Sequence, residues 1–326
     1  MAPIVTQFAR IYPERNAEVP AGSYGTEGAP TYKDLRILTD DIEGGPILAP
    51  EYDASNAFGH SDVDDSGSRY SGGLSSKTRV DELTLLYLAH FGKVVTTGAG
   101  PEYTHIFTPL DDLTLVAPSL GLDLGIEKKR MYKYHGVLVN EINISKVNAG
   151  EVNHSYDIIA KSREVAAYPT GYAPTYSALK KLMTVNLATL HGQAIVWESL
   201  SIRMTRNWDT TLAFNAKTVP DAEIGLFMAE IEGVVKFENA NPVFVDAYEA
   251  GTEGELTIDF RGDAVGGSFE TLKLEFDRVK ILNAPPPHIN ADRKTQSIKA
   301  QVLIPTAGDW AKATIINAVA TPASYP

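Results

Sequence analysis

The chain has no cysteine among its 326 residues. That removes disulfides, thiolate nucleophiles and thiolate-held metals. It has no excess of positive charge either: 29 Lys and Arg stand against 41 Asp and Glu, a formal net charge of −12. A sequence-independent grip on nucleic acid works by replacing counterions with Lys and Arg. Tight binding to a DNA backbone is therefore not expected, and the surplus of acid favours solubility. No apolar run approaches the roughly 20 residues that span a bilayer as a helix, so no membrane partner is expected. The opening "MAPIVTQFARIYPERNAEVP" has no long apolar core behind a basic segment, so it does not read as a secretory signal. Solenoid-type repeats are absent.

Catalytic patterns are equally scarce. The histidines fall at 60, 90, 105, 135, 154, 191 and 288, and none forms the HxH or HExxH spacing of a zinc site. Asp62, Asp64, Ser66 and Gly67 fit the opening of a calcium loop. Its twelfth position would be Gly73, however, where a bidentate Glu is needed. A flexible acidic loop is the plainer reading. "GDAVGGS" (residues 262–268) lacks the lysine of a phosphate loop, and no GxSxG elbow occurs. Adjacent acids such as Asp40/Asp41 and Asp111/Asp112 diverge on a strand, so a glycosidase pair would need acids from separate strands. Sequons at Asn143 and Asn153 fall inside predicted strands, where chance accounts for them. No catalytic residue, cofactor or metal ligand is assigned.

What is present is material for a β scaffold. With 44% hydrophobic residues the chain can bury a sizeable core. Residues 1–30, rich in Pro, Gly, Glu and Ala, read as an extended arm, and residues 45–76 as a long loop. "TRVDELTLLYLAHFG" (78–92) has helical spacing, acids in its first turn and a terminal glycine, so it predicts a helix docked on a sheet.

Beyond residue 103 the period becomes two. "GVLVNEINISKVNAGEVNHSYDIIAKS" (136–162) predicts a hairpin turning at "NAG". Leu138, Ile142, Ile144, Tyr156 and Ile158 lie on one face, and Glu141, Asn143, Glu151, Asn153, Ser155 and Asp157 on the other. A second hairpin is expected over 196–217. Leu200, Ile202, Met204, Leu212 and Phe214 face inward there, and Ser199, Ser201, Arg203 and Thr205 outward. The likeness of the two hairpins hints at an internal duplication. Further strands follow after residue 228, with a short helix after Pro242. The fold class expected is mainly β: an antiparallel sandwich or barrel with a flanking helix, an N-terminal arm and a long loop.

The order of these segments resembles the major tail tube proteins of long-tailed, non-contractile bacteriophages, in their longer variety. The resemblance runs over most of the chain. It is carried by "PAGSYGTEGAPTY" (20–32), the helix ending "LAHFG", "EYTHIFTP" (102–109), the hairpin at 136–162 and "ESLSIRMTRNWDTTLAFNAKTVPDAEIGLFMAEIEGVVKFEN" (198–239). It implies subunits that close into rings, usually of six, and rings that stack into a tube with a hydrophilic, acidic lumen. If the two halves are duplicated, three subunits could do the work of six.

The partners so implied are other copies of the chain, the tape-measure protein, the tail terminator and the tail-tip proteins. DNA would pass without specific binding. Assembly is expected in the host bacterial cytoplasm, with the protein ending in the virion tail. The residues expected to line the lumen are Glu141, Asn143, Glu151, Asn153, Ser155, Asp157, Ser199, Ser201, Arg203 and Thr205. Other virion parts, such as a terminator, connector or capsid decoration, are the first alternative. A carbohydrate-binding protein or lyase, using Trp197, Trp208 or Trp310 as platforms, is the second.

Overall fold

The computed structural model describes residues 8–15, 32–37, 39–51, 62–111, 117–126, 130–148, 150–176, 182, 184–208, 225–236, 243–285, 288–290, 293–304 and 310–322. The strands among them are β1 (Phe8–Arg15), β2 (Lys33–Leu35), β3 (Thr39–Asp40), β4 (Glu43–Glu51), β5 (Asp62–Lys77), β6 (Gly92–Ala99), β7 (Glu102–Pro109), β8 (Ser119–Ile126), β9 (Arg130–Val147) and β10 (Asn153–Ala160). Then come β11 (Ser162–Ala167), β12 (Thr184–Leu190), β13 (Gln193–Ala194), β14 (Trp197–Thr205), β15 (Met228–Lys236), β16 (Glu253–Val265), β17 (Ser268–Asn283), β18 (His288–Asn290), β19 (Arg293–Val302) and β20 (Ala311–Asn317). The helices are α1 (Val80–Phe91) and α2 (Val243–Ala250). The fold is mainly β and antiparallel throughout, as the alternating sequence predicts.

The pairings sort into three arrays. The widest runs β3/β4–β5–β10–β9–β14–β15–β19 and ends on the second half of β17 together with β18. A second runs β2–β1–β8–β9–β11. A third runs β13–β12–β16–β17–β20–β7–β6. Two long strands connect them. Up to Val137, β9 pairs with β8 and β11, and beyond it with β10 and β14. Gly136 sits at the changeover with φ 63°, a conformation that costs glycine little. Likewise one side of β17 passes from β20 over 271–276 to β19 over 279–283, while β16 flanks its other side from 268 to 280.

Helix α1 lies inside the molecule. All 12 of its residues are buried, including Asp81 and Glu82 in the first turn. It touches β9, β7, β6 and β20 as well as strands of the second array. Gly92 ends it in the left-handed region at φ 94°, where a Cβ would meet Leu110 at 2.5 Å. One Glu82 carboxylate oxygen accepts the Arg36 backbone N–H at 3.1 Å, and burial pushes the carboxyl upward in pKa.

Two expectations are corrected here. Residues 8–15 are not part of a loose arm: β1 is a packed strand, with Phe8, Ala9, Ile11 and Tyr12 buried. Its charges are matched from afar. Arg10 pairs with Asp123 at 2.7 Å, and Glu14 accepts from His135 at 2.8 Å and from the Gly136 N–H at 2.7 Å. Residues 45–76 are likewise not simply a loop. β4 and β5 pair across much of this stretch, and β5 then docks on β10 from Tyr70 to Lys77. The strand partner supplies the order that a Gly- and Ser-rich sequence does not. The second arm of the hairpin expected over 196–217, with Leu212 and Phe214, lies outside the described residues. The antiparallel neighbours of β14 are β9 and β15.

Candidate functional site

The widest array has one apolar and one polar face. Directly paired residues on neighbouring antiparallel strands project to the same side, so the registers define the face. Asp157 stands opposite Glu141, Ser155 opposite Asn143, and Asn153 opposite Ser145. Across the next boundary Thr205 stands opposite Glu141, Arg203 opposite Asn143, Ser201 opposite Ser145, and Ser199 opposite Val147. Nine of the ten residues singled out in the sequence thus share one continuous surface. The tenth, Glu151, sits in the β9–β10 turn and pairs with Lys77 of the same surface at 3.3 Å. Asn153 and Arg203 are exposed and the other eight half-buried. On the reverse, Ile142, Ile144, Tyr156, Ile158, Leu200, Ile202 and Met204 are buried in the core; Leu138, expected beside them, is displaced by a bulge between Asp157 and Ile158, which sets Val139 opposite Ile158 and Leu138 opposite Ile159.

The surface is wider than the two hairpins. On one side it takes in Gly73, Ser75 and Lys77 of β5 and Thr39 of β3. On the other it continues through Glu230 and Glu232 of β15 to Ser297, Lys299 and Gln301 of β19. The alternation in "MAEIEGVVK" and "SIKAQV" carried the signal for the latter. For β5 the signal was absent, because glycine and serine occupy both of its faces.

Its electrostatics are mixed in sign and locally balanced. Glu141 holds Arg203 at 2.6 Å and raises the pKa of its guanidinium through that hydrogen bond. Glu232 does the same for the Lys299 amine at 2.6 Å. Ser201 donates to Asn143 at 3.0 Å, Asn140 donates to Asp157 at 3.2 Å, and the Thr39 and Ser75 hydroxyls lie 2.6 Å apart. Arg203, Lys299 and Lys77 therefore each have a carboxylate beside them. A cation already engaged in this way offers little to a phosphate.

Nothing among the described residues gathers three His, Asp or Glu as a metal site requires. Two of the described histidines are used in packing. His154 is fully buried between Thr78 and Tyr87, with the Tyr87 hydroxyl at 2.9 Å, and His90 lies 3.0 Å from the Val139 carbonyl. Burial lowers the pKa of each to about 3, so both are neutral. Asp62 to Gly67 lie in the extended strand β5, which does not wrap as a calcium loop does. Trp208 is buried with its indole N–H on the Val139 carbonyl at 3.0 Å. Trp310 packs edge-on against Phe227, and Trp197 lies over Gly233. None of the three is an open platform for a sugar.

A broad sheet with one face sealed into a core and the other a field of small polar groups and neutralised charges belongs to a structural protein, one that presents a wall. Comparison with known families makes this specific. The family model for phage tail tube protein matches residues 19–303, and the chain belongs to that family. It is a structural component of the phage tail. No curated protein sequence matches the chain. No helix among the described residues is long and apolar enough to cross a membrane.

Proposed function

We propose that copies of this chain close side by side into rings, polar face inward, and that the rings stack into the conduit through which the tape-measure protein and then the genome leave the capsid. Supporting this reading is one observation above all: the wide polar face on which Glu141, Glu232 and Glu151 sit beside Arg203, Lys299 and Lys77. A phosphate backbone binds by releasing counterions to available cations. Local pairing withholds those cations, and the net charge of −12 repels the polymer at longer range. The face works by holding nothing, so no residue on it acts as a catalyst and no cofactor is required. Assembly takes place in the host cytoplasm, with the tail terminator and tail-tip proteins capping the two ends.

Single-cysteine variants on the cysteine-free chain test the orientation. Ser155→Cys and Ser201→Cys should react with a bulky polymer-linked maleimide in unassembled protein and be protected in assembled tubes. Equal labelling in both states would place the face on the outer wall and overturn the reading.

A further inference from the structure

The head of helix α1 holds a cluster of charge that the polar face does not use. Lys33 of β2, Arg36 just beyond it, Arg79 before the first turn, and Asp81 and Glu82 within that turn all meet there. Arg79, Asp81 and Glu82 are buried, at 6%, 7% and 4% exposure. Buried charges of opposite sign normally touch, because only a close partner offsets the loss of water. Four atoms of this cluster do not. Glu82 Oε1, Asp81 Oδ1, Arg79 Nε and Lys33 Nζ are shielded from solvent, and none has a hydrogen-bond partner among the described residues. Burial lowers the pKa of the Lys33 amine to about 8, while Asp81 and Glu82 pull it the other way. The charges therefore act on one another across a gap.

Part of that gap is an open space. A cavity of about 10 Å³ lies between the β2 segment, β5, β10 and the head of α1. The buried Leu35, Leu74, Leu83 and Leu86 wall it. Arg79 and Glu82 line it, together with Ser76 of β5 and Tyr156 of β10. One water molecule needs about 10–15 Å³ and two to four polar partners, whereas a purely apolar cavity stays dry. Both conditions for water are met here.

The two unbonded atoms on the lining define what fits. A carboxylate oxygen such as Glu82 Oε1 accepts, and the Arg79 Nε–H donates. An anion would answer the arginine and be repelled by the carboxylate. A metal ion would do the reverse. Water donates and accepts, and it is small enough for the space.

We infer that a single buried water molecule is a built-in part of this fold, accepting the Arg79 Nε–H and donating to Glu82 Oε1. Its second hydrogen and second lone pair are open to Ser76 and Tyr156, whose hydroxyls can donate or accept. The other ends of the two charged groups are already engaged. Glu82 Oε2 takes the Arg36 N–H at 3.1 Å, and Arg79 Nη1 donates to the Thr78 carbonyl at 3.2 Å. Tyr156 lies on the reverse of the polar face, paired with Leu74 and Ile142. The water thus ties the first turn of α1 to the back of the widest array by hydrogen bonds, where the surrounding leucines supply apolar contact alone.

This inference goes beyond the tube reading and stands on the folded chain by itself. The test is a crystal structure of the unassembled wild-type protein at a resolution that shows ordered water. The expected result is one peak within hydrogen-bond distance of both Arg79 Nε and Glu82 Oε1, in the same place in every independent copy. Glu82→Gln keeps an acceptor oxygen and should keep the water. Glu82→Met has a similar length without an acceptor, and its crystal structure should have lost the water. An empty cavity, a direct Arg79–Glu82 bond, or a peak that anomalous scattering identifies as an ion would each overturn the inference. So would a water that stays in place in Glu82→Met. The wild-type crystal decides the point even if a variant fails to fold.

Discussion

At the residue scale, two glycines explain a strand. Gly121 and Gly125 of β8 lie opposite Tyr12 and Phe8 of β1. A Cβ at Gly121 would overlap the Tyr12 ring, and one at Gly125 would overlap the Phe8 ring. The rings occupy the space that bare backbone leaves, an aromatic–glycine pairing that fixes register. Gly121→Val should displace Tyr12 and cost about 1–3 kcal/mol, the usual penalty of overpacking, read as a lower midpoint in chemical denaturation. The polar face should respond in the opposite way. Glu141–Arg203 and Glu232–Lys299 are surface pairs that contribute little to stability, so the double variant Glu141→Gln/Glu232→Gln should fold normally. By freeing two cations it should instead introduce salt-dependent retention of DNA, measured by filter binding across a salt series. Unchanged DNA retention would argue against charge pairing as the device that keeps the face slippery.

At the element scale, the buried histidines give the fold an acid limit. His154 and His90 are neutral in the folded state because burial lowers their pKa to about 3. In the unfolded chain they protonate near their ordinary value of about 6.5. Below that pH the unfolded state binds protons that the folded state refuses, so stability falls as pH drops from about 6.5 towards 3, by about 1.4 kcal/mol per pH unit for each histidine. Urea titrations between pH 7 and pH 4 should show this slope, and His154→Leu should flatten it. The anchoring of β1 offers another check. Arg10→Met would remove the 2.7 Å charged hydrogen bond to the buried Asp123 carboxylate, which should cost about 1.5–3 kcal/mol, visible as a lower thermal midpoint and early proteolysis of the N-terminal strand.

The same elements mark what the sequence made legible. β9, β10 and β14 were readable because apolar and polar residues alternate cleanly, with Ile142 and Ile144 against Glu141 and Asn143. α1 was readable from its spacing and its terminal Gly92. Its burial on every side was not, because Asp81 and Glu82 look solvent-facing until Lys33, and for Glu82 also Arg36, are brought to them by the fold. β1 escaped because its charges are matched by Asp123 and His135, more than a hundred positions away. β5 escaped because its order comes from β10 and not from its own residues.

At the scale of the whole molecule, the face gains its meaning from width. No single residue of it is special. In the proposed ring its function comes from seven neighbouring strands, β3, β5, β10, β9, β14, β15 and β19, that present the same chemistry in sequence. The measurement that bears most directly on this account is a cryo-electron microscopy reconstruction of the assembled tube. The account predicts that Asn143, Ser155, Ser201 and Lys299 line the bore, with Ile142, Tyr156 and Ile202 behind them in the wall. A tube with those polar residues on its outer surface, and a different sheet facing the bore, would contradict it.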